Sequence, residues 1–233
     1  MIEYKNVYFT YSAGTPFEQT VLEDFSLEID KGERIAVIGK TGSGKSTVIK
    51  LSNATIKPER GFVTVDSLNT VDKKTIFSLR KKVGLVFQYP ESQFFCPTVL
   101  EEVEFALKNF GFSNRETMIH EALNMVGLPL SFLNRSPFRL SGGEMRLVAI
   151  ASIICWNPEY LFFDEPTAGL DYRGRKTISQ LIDRLHKSGK TVVVVTHNED
   201  FVRENLSRVI AIKGGKKVFD GSTDEYYKLG ETV

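Results

Sequence analysis

The chain has 233 residues, enough for one sizeable core without disulfide staples. Apolar residues make up 42% and charged residues 25%, which excludes collagen, coiled coil and bulk disorder. Lys plus Arg number 30 and Asp plus Glu 29, a net charge of +1, so the chain lacks the basic imbalance of a strong nucleic-acid binder.

The first residues read as lacking a basic-then-apolar leader. No apolar run approaches the roughly 18 residues of a spanning helix; Leu147 to Trp156 is about half of that. The chain is therefore expected not to cross a membrane by itself. Cys96 and Cys155 share no metal-ligand spacing and read as reduced structural thiols.

In chain order, the first thirty residues alternate, with Phe25, Leu27 and Ile29 on one side of a strand. Ser12 to Pro16 is a turn cluster between two such strands. Ile35 to Ile38 is a short continuous apolar run, as expected of a strand buried on both faces. A helix starts near Lys45. Similar strand runs recur at Gly84 to Phe87, Leu161 to Phe163 and Val192 to Val195. Between them lie helical stripes: Met118, Ile119, Ala122, Leu123 and Val126, closed by Gly127 and Pro129; Leu147, Ile150, Ala151 and Ile154; and Ile178, Leu181, Ile182 and Leu185. Arg80-Lys81-Lys82 reads as a solvated charge run. Gly214-Gly215, between Val209 to Ile212 and Lys216 to Phe219, predicts a tight hairpin.

Buried strands alternating with helices predict an α/β fold with a mainly parallel sheet, preceded by an N-terminal antiparallel β subdomain. Residues 92–156 carry helical patterns and no convincing strand. They are expected to form a helical subdomain inserted between 1–91 and 157–233 of one domain.

Gly39, Lys40, Thr41, Gly42, Ser43, Gly44, Lys45 and Ser46 fit G-x-x-x-x-G-K-[ST]. Glycines let the backbone wrap a phosphate with its N–H groups inward, and the following helix adds its positive end. Lys45 is expected on the β and γ phosphates and the Ser46 hydroxyl on Mg²⁺. Guanine-reading Asn-Lys-x-Asp or Thr-Lys-x-Asp motifs are absent, which argues against a GTPase.

Tyr160 to Phe163 is an apolar strand running into Asp164, Glu165 and Pro166. Ligands gather at the carboxyl ends of strands in open α/β sheets. Asp164 is a candidate for holding the metal through a water, and Glu165 for the general base. His197 also follows a strand and is a candidate contact for the γ phosphate. Ser141 and Glu144 form an S-x-x-E capping box around Gly142 and Gly143. This reads either as an ordinary helix start or as a bare anion site. Spacing does not say whether it reaches the same phosphate.

Together these motifs resemble the ATP-binding cassette (ABC) ATPases along nearly the whole chain. GKTGSGKST, which ends in Thr47, resembles the Walker A loop of this P-loop NTPase family, LSGGE the signature, and YLFFDEP the Walker B strand. Ala168 to Asp171 resembles the D-loop, Gln88 the Q-loop glutamine, His197 the switch histidine, and Tyr11 the aromatic that stacks on adenine. The resemblance implies ATP as substrate and Mg²⁺ held by Ser46, Gln88 and Asp164. It implies a head-to-tail dimer in which Ser141, Gly142 and Gly143 bind the γ phosphate of the partner's ATP.

VFQYPESQFF (Val86 to Phe95), Ser141 to Arg146, and TAGLD with Gly174 to Lys176 further resemble the energy-coupling factor (ECF) transporter ATPases. Those import vitamins or metal ions using two related cassettes, a transmembrane coupling subunit and a substrate-binding membrane subunit. Met145-Arg146 resembles one of the two paralogous cassettes, which favours a heterodimer over a homodimer. The resemblance implies a peripheral protein on the cytoplasmic face of the membrane. Tyr89, Phe94 and Phe95 either wall the groove for a coupling helix or pack within the helical subdomain. The competing readings are a soluble cassette ATPase acting on nucleic acid or ribosomes, and a nucleotide-binding regulator with little turnover; no nucleic-acid partner is expected.

Overall fold

The computed structural model describes residues 1–89 and 94–230. Along the chain its elements are β1 (Ile2–Tyr11), β2 (Gln19–Ile29), β3 (Arg34–Ile38), α1 (Lys45–Ser52), β4 (Arg60–Val65), β5 (Leu68–Asn69), α2 (Ile76–Lys82) and β6 (Val83–Val86). After these come α3 (Val99–Asn109), α4 (Arg115–Val126), α5 (Gly142–Ile154) and β7 (Tyr160–Asp164). The last elements are α6 (Tyr172–Lys187), β8 (Thr191–Val195), α7 (Glu199–Asn205), β9 (Arg208–Lys213), β10 (Lys216–Ser222) and α8 (Thr223–Lys228).

The central sheet runs β10-β9-β3-β8-β7-β6. All its pairings are parallel except the β9–β10 hairpin. Its inner strands are apolar on both faces, and every residue of Thr191–Val195 is buried. Burial on both sides is what a parallel sheet sandwiched between layers requires. One layer is a second sheet, β2-β1-β4-β5, wholly antiparallel. Its inner residues Tyr4, Phe25, Leu27 and Ile29 pack with Ile35, Val37, Phe162 and Val193 in one cluster. The other layer is helical: Ala36, Leu161, Phe163, Val192 and Val194 on the opposite face join Val103, Leu123, Ile150 and Leu181 in a second cluster. Alternation along each strand thus divides its residues between two cores.

Some details differ from the sequence expectation. The predicted strand Gly84 to Phe87 is Val83–Val86; Phe87 lies outside it and is exposed. Around α5 the apolar stripe is too narrow a description. Val148, Ala149 and Ser152 are buried as well, because α5 is packed by α3, α4 and the β6 edge together.

The basic run is more than a solvated face: Arg80 is exposed and Lys81 and Lys82 partly so, yet all three find partners. Arg80 Nη2 donates to Ala54 O, and Lys82 Nζ bridges Asp66 and Glu159 at 2.7 Å each. Lys81 Nζ donates to Phe110 O at 2.7 Å and sits 5.0–5.6 Å from the ring centres of Phe77, Phe110 and Phe112. Long side chains bury their stems while their charged heads find partners, so three consecutive cations tack α2 to Ala54, Phe110, Asp66 and Glu159. Asp66 gathers its partners despite burial, which opposes its charge. Bonds from Lys82, the Met1 amino group, Tyr160 and Lys31 outweigh that and hold its carboxyl well below the usual range.

Candidate active site

The glycine loop leaves β3 and turns directly into α1. At Gly39 (φ 148°) an added Cβ would lie 2.2 Å from Ile212 O. Any side chain there collides with the β9 backbone, so only glycine lets the loop close. Gly44 caps α1 in the left-handed conformation, and neither a side-chain cap nor an acidic first-turn residue covers the helix start. Its free N–H groups and positive dipole end suit an anion. The Gly214-Gly215 turn supports the loop from outside: Gly215 N donates to Ser43 O, and an added Cβ on Gly215 would meet Val21 O at 2.3 Å.

Lys45 Nζ bends back over the loop and donates to Gly39 O (2.7 Å) and Lys40 O (3.0 Å). Burial lowers its pKa from the ordinary lysine value, opposed by the charges of Glu165 and Asp164. Ser46 Oγ donates to Asp164 Oδ2 at 3.1 Å. Burial pushes the Asp164 carboxyl up, the Ser46 bond pulls it down, and the neighbouring Glu165 charge raises it again.

Glu165 leaves β7 in a left-handed conformation, φ 48°. Its Oε1 lies 2.8 Å from His197 Nδ1, and its Oε2 accepts from Thr196 Oγ1 at 3.2 Å. The Glu165 side chain is 12% exposed and that of His197 78%. A largely shielded carboxylate therefore carries an open imidazole at its rim. The loop, the acid pair and the histidine follow β3, β7 and β8, which neighbour one another in the order β3-β8-β7.

These groups line one cleft of about 530 Å³: Tyr11, Thr41, Gly42, Gly44, Lys45, Ser46, Thr47, Gln88, Tyr89, Asp164, Glu165 and His197 all face it, joined by Gln19 and Val21. Tyr11 is held edge-on by Phe9, centroids 4.8 Å apart, with its hydroxyl 3.3 Å from Thr47 Oγ1. Gly39, Lys40 and Ser43 lie on the back of the loop; Ser43 Oγ is buried without a hydrogen-bond partner. A glycine-lined turn opening into an uncapped helix start, with the half-buried Lys45 ammonium beside it, fits a polyphosphate. The hydroxyl, carboxylate and amide oxygens of Ser46, Asp164 and Gln88 fit Mg²⁺, which takes one or two carboxylates and completes its shell with phosphate and water.

Not every candidate reaches this cleft. Ser141, Gly142, Gly143 and Asp171 are absent from its lining. Ser141 N-caps α5 with the full capping box: Ser141 Oγ accepts from Glu144 N, and Glu144 Oε2 accepts from Ser141 N. Gly142 and Gly143 face open space, with nothing within 4 Å of an added Cβ. Asp171 N-caps α6, with Oδ1 accepting from Gly174 N.

The aromatic run divides three ways. Tyr89 faces this cleft, and Phe94 is buried against Phe138. Phe95, 60% exposed, packs edge-on against Phe105 over a separate apolar groove with Phe87 and Trp156. Neither Tyr89 nor Phe94 belongs to the groove wall. Pro90, Glu91, Ser92 and Gln93 of the VFQYPESQFF segment lie outside the described residues, as does the expected 91/92 subdomain boundary.

The sequence reading passed over Thr196, which steadies Glu165, and gave Arg146 no structural role. The α5 guanidinium donates to Pro166 O, Ala168 O and Gln88 O. A signal was available: Arg146 stands three and four residues before Ala149 and Ile150, on a buried helix face where a cation needs partners.

A glycine cradle feeding a bare helix start, with a hydroxyl–carboxylate pair and a shielded acid carrying an open imidazole opposite, defines a P-loop nucleotide hydrolase. The chain belongs to the ABC transporter family, whose pattern matches residues 22–168, and it is an ATPase. It is 47% identical over 232 residues to the energy-coupling factor transporter ATP-binding protein EcfA2 of Streptococcus sanguinis, covering 97% of this chain and 83% of that one. Identity to the EcfA2 of Enterococcus faecalis is 45%, over 97% of this chain and 81% of the relative. Among solved structures, a dimeric bacterial ABC transporter cassette aligns with TM-score 0.85 at 35% identity, covering 96% of this chain and 99% of that one. The structure of cbiO1 from Clostridium perfringens, part of the ABC transporter complex cbiONQ, aligns with TM-score 0.85 at 31% identity, over 97% and 90% of the two chains.

Proposed function

We propose that this chain is the ATP-hydrolysing subunit of an ECF-type importer for a vitamin or metal ion, working by ATP-driven closure of a cassette dimer. The observation that carries the reading is a division of the site. Lys45, Ser46, Gln88, Asp164, Glu165 and His197 share one cleft, while the open helix start at Gly142–Gly143 faces solvent elsewhere. A phosphate bound in the cleft would be closed over by the equivalent helix start of a second cassette. Kinship with EcfA2 proteins favours a paralogous cassette as that partner, together with a coupling subunit and a substrate-binding subunit in the membrane.

In this reading Tyr11 takes the adenine face. Gly39 to Thr47 wrap the phosphates, with Lys45 exchanging its carbonyl partners for β and γ oxygens. Ser46, Asp164 and Gln88 would hold Mg²⁺, which supplies charge neutralisation on the phosphates. Glu165 accepts the proton of the attacking water, and His197 contacts the γ phosphate. Such catalysis is positioning plus charge stabilisation. Asp171 and Ser141 to Gly143 act across the dimer, and ATP stabilises the closed form by binding it better than the open one.

Residues 92–156 would move as a helical signature subdomain within the single cassette of 1–233. The groove of Phe87, Phe95, Phe105 and Trp156 suits the apolar face of a coupling helix. Among the described residues no helix is long and apolar enough to cross a membrane, which is compatible with peripheral attachment at the cytoplasmic face. The test is solubilisation of native membranes and capture of this chain. Recovery of a second cassette and two integral membrane proteins, with ATP hydrolysis in the captured complex, is expected. Recovery of nucleic acid or ribosomes, released by salt, would overturn the reading in favour of a soluble cassette.

A further inference from the structure

We propose that Arg146 is a positioning residue for hydrolysis, its guanidinium on α5 holding the Gln88 segment and the turn after Glu165 in one fixed relation. The inference rests on the reading that Gln88 and Glu165 act on the nucleotide. Arg146 is only 9% exposed. Nη1 donates to Pro166 O at 2.8 Å and to Ala168 O at 2.7 Å, and Nη2 donates to Gln88 O at 3.2 Å. Three carbonyls, from segments 58 and about 20 residues away along the chain, converge on one planar cation. A guanidinium is a rigid fork, so neither segment shifts alone without leaving a buried charge less satisfied.

The turn that Arg146 holds is the one that aims Glu165. A left-handed backbone at a glutamate is sparsely populated and persists only where its surroundings over-determine it. Here Glu165 N donates to Val195 O (2.8 Å) and Ala168 N donates to Glu165 O (3.1 Å). Arg146 then fixes the carbonyls of Pro166 and Ala168 within the same turn. The direction of the Glu165 side chain, toward His197 and Thr196, follows from that backbone.

These three carbonyls belong to the Gln88 and Glu165 segments and not to the Gly39–Ser46 cradle. The clamp leaves the cradle and Lys45 untouched, so it bears on the hydrolytic step more than on nucleotide capture.

The test compares Arg146→Ala and Arg146→Lys with the parent in the full chain. Hydrolysis is expressed per nucleotide site, titrated with a fluorescent ATP analogue. ATP affinity is expected to stay within about twofold of the parent. The kcat per site should fall about 100-fold in Arg146→Ala, the loss that goes with a misplacement of about 1 Å. Arg146→Lys keeps the charge but not the fork, and should recover to about tenfold below the parent. A merely structural role would lower the melting temperature and the number of titratable sites but leave kcat per site unchanged. That result, or an affinity loss that matches the kcat loss, overturns the proposal.

If Arg146→Ala does not fold, Arg146→Lys decides alone, and parental kcat per site overturns the proposal. Glu165→Gln, run in parallel, separates the two layers. Parental hydrolysis in Glu165→Gln removes the assignment of Glu165 itself. An inactive Glu165→Gln beside a fully active Arg146→Ala removes only the Arg146 inference.

Discussion

Replacing Glu165 by Gln isolates one proton acceptor from everything else in the site. The two side chains have the same length and volume, so no cavity opens at a position only 12% exposed. Both contacts have isosteric substitutes: the amide oxygen accepts from Thr196 Oγ1, and the amide nitrogen donates to His197 Nδ1 in its other tautomer. The stability change should therefore stay within about 1 kcal/mol, the net worth of one ordinary hydrogen bond. The rate is another matter. A positioned general base contributes about 10²- to 10⁴-fold, which raises the barrier by about 3–5 kcal/mol. Glu165 also places negative charge beside Lys45 and Asp164. Its neutralisation should leave ATP binding intact or tighten it, and so accumulate the ATP-bound dimer. Single-turnover hydrolysis with labelled ATP, equilibrium nucleotide retention and light scattering read the three effects separately. Hydrolysis at the parental rate would refute the assignment of the base. Weakened ATP binding in a folded variant would refute the electrostatic argument.

Lys45→Ala should act on binding instead. Loss of a charge-assisted bond of about 1.5–3 kcal/mol weakens ATP affinity by about 10- to 150-fold, measurable by calorimetric titration; unchanged affinity would remove Lys45 from the phosphate site. Asp66→Asn keeps the shape of the β4–β5 turn but removes the charge that Lys82 and Lys31 share, and should cost about 2 kcal/mol at neutral pH in chemical denaturation. Because folding lowers the Asp66 pKa, its contribution is complete above the unfolded value near 4 and is lost as pH falls toward the folded one. The gap between parent and variant should close below about pH 4, and a gap constant with pH would contradict the charge argument. Lys81→Met should lower stability by about 1–2 kcal/mol through loss of the Phe110 carbonyl and the three aromatic faces. An unchanged melting temperature would restore the solvated-run reading.

Local patterns announced their own physics. Four valines in a row between turn residues leave no polar face, so β8 had to be an inner strand. Glycines around Lys45 leave no side chain to cap α1, so its start was legible as an anion site. Cations were misread because their fate depends on neighbours remote in sequence. Nothing between Arg80 and Lys82 points to Ala54, Phe110 or Glu159. Phe94 and Phe95 are adjacent and chemically identical, yet one is buried and the other exposed, since a single step along the chain turns the side chain to another surface.

Residue order alone thus determined the class of chemistry: a phosphate loop after a buried strand, an acid pair ending an apolar one, and a glycine pair inside the opening turn of a capped helix. Each is a property of a few consecutive residues and needs no distant partner to be recognised. Which of them meet was decided only by the packed chain. The order β3-β8-β7 brings the loop, His197 and Glu165 to one cleft and leaves Gly142–Gly143 outside it. The fold also closed the Arg146 clamp across 58 residues, because hydrogen-bond partners are chosen by proximity in space and buried charge cannot be left without them.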